Sequence, residues 1–142
     1  MSADKIFSIC NSVALAGWLL LVFAGRKRWV SSLITGAILP LFFAVAYLGL
    51  LVVHFRESTG GFSSLTEVAA LFSNHWMFLA GCIHYLCFDL FIGSWEVRDA
   101  QERGISPWLV VPCLFFTFMF GPVGLLLYFV VRRSIQVRVQ PV

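Results

Sequence analysis

The sequence predicts an all-α polytopic membrane protein, with four transmembrane helices plus a short interfacial amphipathic helix. Three observations predict it. Of the 142 residues, 60% are hydrophobic and only 12% are charged, where soluble domains average about 45–50% and about 25%. The apolar residues gather in four runs of about the ~20 residues that cross a ~30 Å hydrocarbon core. Short segments rich in charge, glycine or serine separate those runs. A chain of this length is expected to form a single domain, residues 1–142.

The first span is expected at about 6–24. "MSADKIFSIC" has no basic region ahead of a cleavable apolar stretch, so the run reads as a retained helix rather than a signal peptide. It closes on "GRKRW". No transit-peptide pattern precedes it, which favours a bacterial inner membrane or an already processed chain. The second span, about 33–53, contains Pro40 and ends at "HFRESTGGFSS". Gly60 and Gly61 mark a loop. Ser64 with Glu67 three residues later forms a capping-box pattern, and Phe62, Leu65, Val68, Ala69 and Phe72 recur at helical spacing. A short helix over about 63–72, lying at the membrane interface, follows.

The third span is expected at about 75–95. "RGISPW" then supplies a glycine stop and a proline start. The fourth span, about 108–131, ends in "RRS" and carries Pro112 and Pro122. Its "FGPVG" predicts a local break, where small residues allow close helix approach or a kink. With four crossings, Arg26, Lys27, Arg28, Arg98 and Arg103 fall on one side. Lys5, Arg56, Arg132, Arg133 and Arg138 fall on the other, so the positive-inside rule ties. The dense "RKR" run tips that loop towards the cytoplasm, with both termini outside.

No basic run resembles a nucleic-acid footprint, which excludes that class of partner. The four cysteines form no CxxC pair, so no zinc or dithiol motif is present and they read as small hydrophobes. His54 and His84 fall at different depths, which argues against a bis-histidine haem. His75, His84 and Asp89 do not share a face, so no metal site is expected.

The third span holds the polar residues. At 100° per residue, Cys82, Tyr85, Asp89, Gly93, Glu96 and Arg103 form one stripe, and His84 lies about 140° away from Asp89. An ionisable group in a membrane usually faces the bundle interior or a watered cavity. Asp89 is therefore either interhelical glue, bonding Asn11, Tyr47 or a carbonyl freed by Pro40 or Pro112, or a group that does proton chemistry. Asn11 with Ser12, and Thr117, are the other polar groups on neighbouring spans that could face it. Asp99 and Arg103 are i,i+4 partners in the favoured acid-first order.

"HYLCFDLFIGSWEVRDA" and "GISPWLVVPCLFFTFMFGPVGLLLY" together resemble the abscisic-acid-deficient-four-like family, small membrane proteins whose plant members are linked to neoxanthin synthesis. The matching residues are His84, Asp89, Gly93, Trp95, Asp99, Pro112, Thr117, Gly121, Pro122, Gly124 and Tyr128. Where plant forms are expected to read G-R-W, this chain has Gly93, Ser94 and Trp95. The resemblance implies a protein that acts on or binds a carotenoid or other isoprenoid. The implied reaction is a cofactor-independent, isomerase-type rearrangement by acid–base catalysis. Asp89 is then the acid, with His84 or Glu96 as base. Asn11, Tyr85, Phe88, Trp95 and Thr117 contact the ligand, and Gly93, Asp99, Arg103, Gly121, Pro122 and Gly124 form the structural motif. The alternative is a non-catalytic pigment- or lipid-binding subunit, or an assembly factor of a membrane complex. The expected partners are membrane lipid and a hydrophobic small molecule such as a carotenoid; a homo-oligomer or a membrane-complex partner stays open.

Overall fold

The computed structural model describes residues 2–139, with side chains described through residue 135. Every element among them is helical. The first helix, α1, is Ala3–Ala24. A π-helical segment, Val30–Ile38, runs without a break into α2, Leu39–His54. α3 is Leu65–Ser73 and α4 is His75–Glu102. α5, Pro107–Phe120, and α6, Pro122–Val139, complete the chain. Three helical stretches are long and apolar enough to cross a membrane: Ala3–Ala24, Val30–Glu57 and His75–Glu102.

α4 is the hub, and its neighbours reveal their directions by which residues they meet. On one side Gly17 and Trp18 of α1 lie against Leu90 and Gly93, and Gln101 Nε2 donates to the Gly25 carbonyl at 2.7 Å. α1 is therefore parallel to α4. A Cβ on Gly93 would lie 2.6 Å from the Trp18 ring, so this contact needs a residue without a side chain. Lipid tails are as apolar as leucine, and close packing of this kind replaces the hydrophobic drive between membrane helices. The π-helix and α2 run antiparallel along another side, with Cys87 Sγ donating to the Pro40 carbonyl at 3.2 Å and His84 against Tyr47.

The π-helical turns have a local cause. Thr35 Oγ1 donates five residues back to the Val30 carbonyl at 3.2 Å. Pro40 removes the N–H that an α-helix would direct at Gly36. Arg98 of α4 donates a guanidinium N–H to the Ser31 carbonyl. Short α3 occupies the stretch expected as an amphipathic helix. Ser64 Oγ accepts the Glu67 N–H, and the Glu67 carboxylate accepts the Ser63 N–H, each at 3.2 Å.

The last apolar stretch departs from the expected continuous span over 108–131. It is a helical hairpin. Thr117 of α5 meets Glu96, Gly121 at the turn meets Asp89, and Tyr128 and Arg132 of α6 meet Asp99. Thus α5 climbs antiparallel to α4, reaches the level of Asp89, and α6 returns. Gly121 makes the turn with φ +43° and ψ −92°, a conformation that L side chains avoid. Pro122 starts α6 at the position where a missing N–H costs nothing. Gly124 packs directly on the Thr117 backbone with no room for a Cβ. The "FGPVG" break is thus a full reversal rather than a kink. It carries Arg132 back to the side of Arg103 and Arg28.

Candidate functional site

The hairpin covers the polar face of α4 only up to Asp89, and this divides that face in two. Below the turn every acidic group is engaged. Glu96 is fully buried, and both its carboxylate oxygens lie within reach of Thr117 Oγ1, at 3.0 and 3.2 Å. Asp99 Oδ2 accepts hydrogen bonds from Tyr128 Oη at 2.7 Å and Arg103 Nε at 2.9 Å, and forms an ion pair with Arg132 Nε at 3.4 Å. Arg132 in turn stands 5.9 Å from the Trp95 ring centroid and 5.7 Å from that of Phe129, a cation–π arrangement. Trp95 meets Tyr128 edge-on at 5.5 Å. α6 is held on α4 by charge and α5 by one buried hydroxyl–carboxyl pair.

At and above the turn the same face is open. Asp89 is half-buried, with Oδ1 2.8 Å from where a Gly121 Cβ would stand. Among the described residues nothing hydrogen-bonds its carboxyl, and the hydroxyls of Ser94, Thr117 and Tyr128 bond elsewhere. Tyr85, one turn further up, is exposed. The arrangement presents one unengaged carboxyl at the tip of a hairpin, at mid-helix on α4, beside uncovered apolar surface.

The remaining sequence-predicted residues distribute as follows. Gly93 turns towards Trp18 and α1 rather than the hairpin. His84 lies on the other side of α4, exposed, against Tyr47 at 5.6 Å and Phe88 at 4.7 Å. It lines a cavity of about 230 Å³ roofed by Leu71 and Phe72 of α3. Phe88 lines a lateral groove against α2. Asn11 sits on the exposed face of α1. Thr117 is buried and bonded to Glu96, so it supports the hairpin. No group of three or more His, Cys, Asp or Glu gathers to hold a metal ion among the described residues.

Sequence reasoning did not bring Arg132 into the site. A straight span places it on the far side of the membrane from Asp99. The available signal was the i,i+4 spacing of Tyr128 and Arg132, which puts both on one face. Arg98 and Ser31 were also missed as partners, because nothing in "VSSLITGAI" announces nine π-helical residues.

A family model described as ABA DEFICIENT 4-like matches residues 5–128. No curated protein and no solved structure matches the chain.

Proposed function

The chain belongs to the ABA DEFICIENT 4-like family, and from that premise we propose that this membrane protein binds a carotenoid or related isoprenoid and rearranges it without a redox cofactor. The observation that carries the reading is Asp89, an unengaged carboxyl at the hairpin tip on otherwise apolar surface. The chemistry matches such a group. Converting an allylic epoxide into an allene is an isomerisation. A proton goes to the epoxide oxygen, the C–O bond opens, and a proton leaves the adjacent polyene carbon. One carboxyl can serve both steps: Asp89 donates as the acid, and the carboxylate so formed takes the carbon-bound proton. The enzyme returns to its starting state. Glu96, tied to Thr117, holds the hairpin that defines this opening, and His84 faces another cavity. Excluding water strengthens the proton transfers and protects the allylic cation.

The test is pigment profiling in a carotenoid-producing host that accumulates epoxidised xanthophylls. Wild-type protein is expected to convert part of that pool into an isomer of unchanged mass, and Asp89→Asn to abolish the conversion. Pigment that co-purifies stoichiometrically yet is never converted, in any carotenoid background, would replace this reading with a binding subunit.

A further inference from the structure

The groove between α2 and α4 has a chemistry of its own. It measures about 400 Å³ and opens sideways, with Gly36, Pro40 and Ala44 on one wall and Cys87, Phe88 and Phe91 on the other. Its walls are almost wholly apolar except at one end. There the Arg98 guanidinium lies directly over Gly36, where a Cβ would collide with it. Arg98 is half-buried, and its hydrogen bond among the described residues goes to the Ser31 carbonyl. A guanidinium carries five N–H donors, so most remain for a ligand. Lys27 and Arg28 sit one turn before Ser31, and Lys27 accepts the Ser31 N–H. The nearby acid, Glu102, pairs with Arg28 at 3.1 Å. The end of the groove is therefore cationic.

We propose that this groove is a binding site for one anionic phospholipid of the surrounding bilayer, with its phosphate on Arg98 and one acyl chain along Phe91, Phe88 and Pro40. The length selects this occupant. The longer wall, from Gly36 to Ala44, rises about 12 Å at ~1.5 Å per residue, within one leaflet, half of a ~30 Å core. A polyene that crosses both leaflets would overrun it. The charge selects the head group, because cationic clusters at this level favour anionic lipids. The π-helix supplies the anchor: its turns and Gly36 bring the Ser31 carbonyl and Arg98 together at the groove's end. The site involves neither Asp89 nor Glu96, so it stands or falls apart from the proposed reaction.

The test is native mass spectrometry of the full chain in mild detergent, incubated with phosphatidylglycerol or phosphatidylcholine of identical acyl chains. Wild-type protein is expected to retain the anionic lipid about fivefold better, as one Arg beside an anionic head group implies. Arg98→Gln should equalise the two lipids. Ala44→Phe, which fills the groove from an exposed position without touching Arg98, should lower retention of both. Unchanged helicity by circular dichroism shows that each variant is folded, and Ala44→Phe decides the matter if Arg98→Gln is not. Equal retention of the two lipids by wild type overturns the proposal. So does an undiminished preference in folded Arg98→Gln, or undiminished retention in Ala44→Phe.

Discussion

The two halves of one α4 face differ in what covers them. From Glu96 onward the hairpin is present and each carboxylate has its partners: one hydroxyl for Glu96, a phenol and two guanidinium groups for Asp99. At Asp89 the hairpin turns back, and the carboxyl is left without a partner among the described residues. A carboxyl in a helix bundle usually holds helices together, and two of these three do so. The difference teaches that position relative to Gly121, rather than residue type, separates the holding carboxyls from the one left without a partner among the described residues.

The sharpest way to break this comparison is to ask whether the hairpin reverses at all. Cysteines placed at exposed Lys27 and Ser134 should react with an impermeant maleimide from the same side of sealed vesicles. A straight fourth span would give opposite sides, an all-or-none difference. The reversal also dissolves the tie in the charge count. Arg132 and Arg133 join Arg26, Lys27, Arg28, Arg98 and Arg103, leaving Lys5 and Arg56 opposite. The positive-inside rule then directs both labels to the cytoplasm.

Next in size is Asp99→Ala. It strips the acceptor from the buried Tyr128 hydroxyl and leaves Arg103 and Arg132 facing each other. Breaking such a group is expected to cost about 3 kcal/mol, read as a lower unfolding midpoint in mixed-micelle titrations. Glu96→Leu follows, because it leaves the Thr117 hydroxyl without its carboxylate. A loss of about 1–2 kcal/mol is expected, and Glu96→Gln, whose amide oxygen still accepts, should recover most of it. If the leucine variant is as stable as wild type, Glu96 is not a hairpin tie.

Much of this was legible in the sequence, for identifiable reasons. Helical spacing alone put Asp89 and Glu96 on one stripe, and both do face the hairpin. The i,i+4 spacing of Asp99 and Arg103 likewise corresponds to a 2.9 Å pair. Ser64 and Glu67 marked the start of α3 because a cap is a local device. The hairpin was not legible. A break at "FGPVG" could be read, but its angle depends on Gly121 adopting positive φ and on Thr117 and Gly124 touching, and both are set by packing on α4. Gly93 shows the same limit: its spacing put it beside Asp89, yet the fit of the Trp18 ring turned that position over to α1. The π-helix was hidden too, since its widened turns are held by Arg98 from 67 residues away.

The smallest expected change in stability is the most informative one. Asp89→Asn removes the transferable carboxyl proton but no hydrogen bond within the described structure, and asparagine has nearly the same shape. Surface-like substitutions of this kind usually stay within about 0.5 kcal/mol, so the unfolding midpoint should hardly move. Conversion of the pigment should nevertheless cease, because an amide neither donates a proton to an epoxide oxygen nor takes one from carbon. Glu96→Leu should show the opposite pattern for an acid that only holds helices, with stability lowered and conversion retained in proportion to folded protein. A stability loss in Asp89→Asn as large as in Asp99→Ala would place Asp89 among the helix ties and remove the distinction between the two halves of the face.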